Sequence, residues 1–356
     1  MAIPSLGFLE SFESRYSKGS WHPAMTANAT LASYWLNWRF FVCAIWVLIS
    51  TTVAMILIWK NEIFGKSNRH IGETVQQETA ATMYEDDTWR PCLKGVHPAW
   101  LLAYRLIAFF VLMVLLIVTA LVNGGSIFYY YTQWTFTLIT IYFGLGSILS
   151  IYGCYQYHKR VSGDKVDNVE ADAEQGTHVT ASPIDSNISN ITKNPDSHEE
   201  HGVRQSAGLW AHAFQIIFQM NAGAVLLTDC VFWLIMVPFL AQKDYHLNVL
   251  AVNMHSLNAI FLLGDSALNC LRFPLFRIAY FLLWTVVYVI FQWTLHACVY
   301  LWWPYPFLDL SSSYAPLWYL VVGVMHIPCY GGFALTIKLK HYLLSKLFPH
   351  SYQCPR

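Results

Sequence analysis

The chain has 356 residues, no net charge, 56% hydrophobic side chains and only 12% charged ones, with a mean hydropathy of +0.39. A soluble domain carries about 25% charged residues, so this chain has too little polar surface to cover a globule of its size in water. Its neutral balance offers nothing to a nucleic acid, and its 15 Trp and 21 Tyr suit belts at two membrane interfaces. The class this implies is all-α: a polytopic membrane helix bundle of about seven transmembrane helices.

Residues 1–39 form a polar N-terminal segment with no apolar stretch. No cleavable signal peptide is predicted there, and the first spanning helix targets the protein itself. A span needs roughly 20 mostly apolar residues, and seven stretches qualify: Phe40–Trp59, Trp100–Val122, Trp134–Tyr157, Phe214–Ala241, Leu247–Leu271, Ile278–Trp303 and Ala315–Ile337. The first three lie within 40–157 and are interrupted by a polar loop at 60–98. His97-Pro98-Ala99 opens the second helix, since proline is tolerated in a first turn. Residues 159–206 hold nine acids among Ser, Asn and Thr and no Phe, Trp or Tyr. Such a segment cannot bury enough apolar area to offset its ordering entropy, so 158–206 is expected to be disordered. The last four helices occupy 207–340, with Phe273-Pro274 separating the fifth from the sixth and Pro304-Tyr305-Pro306 stopping the sixth. Residues 341–356 form a C-terminal tail.

Lysine and arginine set the orientation. Side A, which holds the N-terminus, receives Arg15, Lys18, Arg39 and Lys243. Side B receives five in 60–98, five in 158–206, Arg272 and Arg277, and four beyond residue 337. Sixteen against four puts side B and the C-terminus in the cytoplasm and the N-terminus outside, in the plasma membrane or an endomembrane. Of the sequons, Asn28-Ala29-Thr30 then faces outward, and those at Asn187 and Asn190 face the cytosol unmodified. The eight cysteines form no CxxC pair and mostly lie in apolar runs. They read as small apolar core residues, which predicts neither a disulfide framework nor a metal site.

An ionisable group in a spanning helix costs about 2.5–3.5 kcal/mol on insertion scales. Six such groups are present: Arg105, Asp229, Asp265, His255, His296 and His326. Arg105 lies close enough to side B to snorkel, and Asp265 to meet water or Arg272. Asp229 lies near the middle of the fourth helix and has no such escape. Counted along alternating helices at about 1.5 Å per residue, Thr140, His255 and His296 share one layer in the side-A half of the bilayer. A hydroxyl with an imidazole at one depth supports acyl transfer, with Thr140 or Thr137 as nucleophile and His255 as base. The alternative is that the histidines bond to neighbouring backbone or hydroxyl groups. His255 also needs a partner to fix its tautomer. Asp265 lies ten residues on, roughly 15 Å along the axis, which leaves Asp229. His296 and Asn253 are candidates for binding substrate. There is no GxSxG elbow, HExxH, P-loop or GxGxxG, and no histidine pair is spaced on one helix as a haem ligand set. No cofactor or metal is expected. The Trp302–Phe307 run reads, on composition, as an interface belt with a turn.

Val252-Asn253-Met254-His255-Ser256 with Phe261-Leu262-Leu263-Gly264-Asp265 resembles the Asn-x-x-Met-His-Thr…Pro-Phe-x-Leu-x-Glu helix of the androgen-induced membrane protein family. Leu295-His296-Ala297 followed by Trp303-Pro304-Tyr305-Pro306-Phe307-Leu308 is similar to that family's His-x-x-Gly-x-Trp-x-Tyr-Pro-Phe-Leu stretch, and Val231-Phe232-Trp233 resembles its Val-Phe-Trp. The rolling-stone-like proteins and their plant counterparts are the nearest branch, and the likeness spans residues 100–340. The resemblance implies a hydrolase of fatty-acid esters of hydroxy fatty acids, with His255 at the family's histidine. The family's threonine falls on Leu138 when counted without a gap from Trp134. Thr137 and Thr140 lie within one turn of it. The rolling-stone branch instead implies cell-surface and fusion roles. Three readings follow. One is a lipid-ester hydrolase, one a non-enzymatic protein that binds a lipid or protein partner, and one a receptor or transporter. Membrane lipids are partners in each.

The Lys/Arg asymmetry makes a direct prediction. In sealed cells a C-terminal tag is protected from external protease and an N-terminal tag is cleaved. Glycans on Asn187 or Asn190 would reverse the assignment.

Overall fold

The computed structural model describes residues 27–64, 84–174, 207–238 and 249–354. Among these, six helices are long and apolar enough to cross a membrane. The first is α1, Trp38–Ile58, whose start is capped by the Asn37 side chain accepting from the Phe40 amide at 3.1 Å. It runs on through a π-helical turn, Trp59–Phe64. Helix α2, Pro98–Asn123, has His97 as its cap and ends at Gly124, where φ of 72° suits glycine alone. Helix α3 is Tyr131–Glu174, and α4 is Leu209–Cys230 continued by a π-helical turn at Val231–Met236. Helices α5 (Val249–Met254) and α6 (Leu257–Leu268) are short; α7 (Ile278–Cys298) and α8 (Ala315–Leu347) close the bundle.

The pattern within the helices is inside-out. On α2, Ile107, Phe110, Val114, Ile117 and Leu121 recur at three- and four-residue steps and are all exposed. The opposite stripe, Leu101, Arg105, Ala108, Leu112 and Thr119, is buried. An apolar outer face with polar groups turned inward is the arrangement a hydrocarbon solvent selects.

Several expected boundaries shift; the last helix, for one, continues past Ile337 to Leu347 and takes in the start of the expected tail. The third helix does not stop near Tyr157 but continues to Glu174. A helix already nucleated adds residues without paying for a new first turn, and Lys159, Arg160, Glu170, Ala171 and Ala173 are good helix formers. The expected disordered loop is therefore helical up to Glu174, and residues 175–206 lie outside the described residues. The sixth helix stops at Cys298, ahead of Trp303. The chain then turns inward, and Trp303, Tyr305, Leu308 and Leu310 are buried. The aromatic run is thus a packed plug, not an interface belt. It is held by Tyr34, whose hydroxyl donates to Asp309 Oδ1 at 2.6 Å and accepts from the Leu310 amide at 3.0 Å. Burial and the Asp309 carboxylate push the Tyr34 phenol up, so it stays a donor.

The fifth expected span is not one helix. Helices α5 and α6 are separated by a break at His255-Ser256. The pair runs between the two ends of the bundle, with Met254 at the end of α5 accepting from Gln133 near the start of α3 at 2.9 Å. The far end of α7 lies beside the α2–α3 turn, with Tyr288 and Gln292 donating to the Tyr129 carbonyl at 2.8 and 2.6 Å. The end of α6 lies beside the start of α2, where the Cys92 amide donates to the Leu268 carbonyl at 2.8 Å. Among the described residues the bundle is therefore six long apolar helices and one broken pair.

Toward side B the helices are tied by a buried ion pair. Arg105 Nε donates to Asp265 Oδ1 at 2.7 Å, and both side chains are 0% exposed. The same guanidinium donates to the Thr88 carbonyl at 2.6 Å and the Ser150 hydroxyl at 2.8 Å, and stacks over the Phe214 ring. Asp265 also accepts from the Tyr142 hydroxyl, and from Asn269 Nδ2 at 2.8 Å. Arg105 does not snorkel, and Asp265 meets neither water nor Arg272; they satisfy each other. Around them α4 and α7 approach closely, since a Cβ on Gly223 would lie 2.3 Å from the Phe281 ring.

The cysteines hold a further correction. Cys270 and Cys354 form a disulfide across 84 residues. The C-terminal tail is accordingly docked: the Lys94 amide donates to the Ser351 carbonyl at 2.7 Å and the Gln353 amide to the Cys92 carbonyl at 3.0 Å.

Removing one partner of a buried ion pair costs about 3–5 kcal/mol because the other charge is left uncompensated. Arg105→Met and Asp265→Asn should each lower the free energy of unfolding in detergent by that order. The double variant should lose clearly less than the sum of the two. Additive losses would show that the two charges act independently.

Candidate functional site

Breaking a helix inside a membrane frees backbone groups that lipid cannot satisfy, and the break at His255-Ser256 shows how this chain satisfies them. The Trp233 indole, on the π-helical turn after α4, donates to the His255 carbonyl at 3.0 Å. The Ile260 amide donates back to the Ser256 carbonyl at 3.0 Å. The His255 ring lies flat on Phe232, centroids 3.8 Å apart and planes within 5°.

That stacking aims the imidazole at α4. His255 Nδ1 lies 3.3 Å from Asp229 Oδ1, and Asn258 Nδ2 donates to the same oxygen at 3.3 Å. A carboxylate beside Nδ1 favours the tautomer with the proton on that nitrogen and leaves a lone pair on Nε2. Among the described residues Nε2 makes no hydrogen bond. Asp229, His255 and Asn258 thus form one polar group in the side-A half of the bundle, built from α4, the break and the first turn of α6.

The two threonines differ. Thr140 is buried and its hydroxyl donates to the Phe136 carbonyl at 2.8 Å, along its own helix. The Thr137 hydroxyl is buried and has no partner among the described residues. Neither hydrogen-bonds His255. The start of α3 does reach the break, since Gln133 Nε2 donates to Met254 Sδ at 2.9 Å. Thr137 lies four residues further on the same helix face. Leu138 is buried and its carbonyl accepts from Asn221 at 3.4 Å. Gln133 Oε1, Thr135 Oγ1 and Asn221 Oδ1 are also buried without partners among the described residues. Asn253 is half-buried, its side chain free of hydrogen bonds among the described residues.

His296 is elsewhere. Its ring nitrogens face the Gln292 carbonyl at 2.8 Å and the Trp302 carbonyl at 3.3 Å, and its ring stacks on Trp303 at 3.7 Å. It holds the plug, and none of its contacts is to Asp229 or His255. His326 faces the Val322 carbonyl and the Thr285 hydroxyl, each at 2.8 Å. It lines a cavity of about 50 Å³ between α1, α7 and α8 with Trp46, Ser50, Thr285, Phe307 and Trp318, room for a few waters.

The indole cap and the ring stack were not visible in the sequence, although Trp233 sits four residues after Asp229 and so on the same helix face. No family model, no curated protein and no solved structure matches this chain.

Proposed function

We propose that this multi-pass membrane protein is an intramembrane hydrolase of fatty-acid esters, with Asp229 orienting His255 as general base and Thr137 as nucleophile. The observation that carries the reading is the 3.3 Å Asp229–His255 contact beside a helix break, with Nε2 unbonded among the described residues. Thr137 is preferred to Thr140 because its hydroxyl is not already donating to a backbone carbonyl. The likeness of the His255 and Trp-Pro-Tyr-Pro-Phe-Leu segments to the androgen-induced membrane protein family supports the same chemistry. In that scheme Nε2 takes the hydroxyl proton as the oxygen attacks the ester carbonyl. The imidazolium returns the proton to the departing alcohol, and a water repeats the sequence to free the fatty acid.

A second reading is favoured by the Trp233 cap and the Phe232 stack. In it Asp229, His255 and Asn258 are a clasp that holds the broken crossing together, and the protein binds a lipid or a protein partner without turning it over.

A fluorophosphonate probe on the full chain separates the two. The hydrolase reading expects labelling that Thr137→Val abolishes, Thr140→Val retains and His255→Ala lowers about 10²–10⁴-fold. Labelling absent from the wild type, or unchanged in both threonine variants, leaves the clasp. His255→Ala then lowers thermal stability alone.

A further inference from the structure

On side B, far from the His255 break, three cysteines from three separate segments converge. Cys92 comes from the loop before α2, Cys270 from the chain after α6 and Cys354 from the tail, and their sulfurs all lie within 4.8 Å of one another. All three are buried. A fourth group completes the cluster. Lys340 of α8 reaches in, its Nζ donating to the Ser266 and Asn269 carbonyls at 2.9 Å each and lying 3.5 Å from Cys92 Sγ. Among the described residues no carboxylate is in direct ion-pair contact with this ammonium; the Asp265 carboxylate acts on it from further off and is already paired with Arg105. A buried cation ordinarily carries a counter-charge.

We propose that Cys92, Cys270 and Cys354, once the Cys270–Cys354 pair is reduced, form a zinc-binding site whose net charge Lys340 balances. The inference is independent of the hydrolase reading. It follows from the Lys/Arg asymmetry, which turns this cluster to the cytosol, where disulfides do not persist and clustered thiols hold metals instead. A dithiol reductant transfers two electrons and two protons to the Cys270–Cys354 bond and leaves as its own disulfide. Three thiols then each lose a proton as Zn²⁺ binds. Three thiolates on a dication carry one net negative charge, which the Lys340 ammonium offsets. Soft thiolates select zinc over hard cations, and water fills the fourth tetrahedral position. The Cys92 thiol donates to the Asn269 carbonyl at 2.6 Å, which holds its sulfur in the cluster.

The test uses the full chain in detergent, reduced with a phosphine and titrated with Cd²⁺. The expected result is about one ion per chain, with a thiolate-to-metal ultraviolet band of intensity matching three sulfurs. Cys354→Ser, at the chain's end, should reduce the band to two sulfurs or abolish it, and Cys43→Ser should leave it unchanged. Lys340→Gln should weaken binding about 10–100-fold, as loss of a supporting neighbour does at other metal sites. Because reduction precedes titration, the outcome does not depend on which side of the membrane the cluster faces, and the tag-protection experiment reports that separately. A reduced wild-type chain that binds no cadmium overturns the proposal. So does binding that Cys354→Ser leaves intact.

Discussion

Hydrocarbon offers neither a hydrogen-bond donor nor an acceptor, so any polar atom carried into it must find a partner within the protein. Most features of this fold follow from that constraint. Long helices satisfy their own backbones and turn isoleucine, phenylalanine and leucine outward. Arg105, buried in the bundle, meets Asp265, Thr88 and Ser150. Near the ends, Arg277 pairs with Glu62 at 3.1 Å, tying the turn after α1 to the start of α7. Polar groups at membrane depth therefore fix which helices are neighbours, while the apolar faces leave that choice open.

The broken crossing is where the constraint is hardest to meet, and the candidate site is there. An unbroken helix would bury its carbonyls and leave no room for a side chain to leave the axis. At His255-Ser256 the ladder is interrupted, Trp233 takes the freed carbonyl, and the imidazole turns toward Asp229. The same contacts serve a clasp or a dyad. What favours the dyad is an imidazole nitrogen without a hydrogen bond among the described residues, together with the buried Thr137 hydroxyl, also without a partner among them. A clasp has no use for either.

Hydropathy made the helices legible because it is a sum over twenty or so residues, and single exceptions do not change it. It also made the fifth segment look continuous: Leu247–Leu271 is apolar on average in spite of Asn253, His255, Ser256 and Asp265, and the tryptophan that takes the freed carbonyl lies 22 residues earlier. The pairing of Arg105 with Asp265 spans 160 residues and that of Cys270 with Cys354 spans 84. Neither leaves a local signal, so each residue alone suggested a local fate: snorkelling for the arginine, apolar packing for the cysteines. Depth along alternating helices did put His255 and Asp229 in nearby layers. It could not give the rotation of each helix about its axis, which decides that His296 faces Trp303 and not His255.

The Arg105–Asp265 pair also has a consequence in time. Helix α2 emerges from the ribosome long before α6, with 160 residues of chain between the two charges. At about 5–20 residues per second, the arginine waits roughly 10–30 s for its counter-ion. During that interval α2 carries a guanidinium without its carboxylate, at a cost of about 2.5–3.5 kcal/mol on insertion scales, which is offset only when the broken crossing arrives. The two halves of this protein are thus assembled in membrane as one unit, the first held unfinished until the second supplies the charge that completes it.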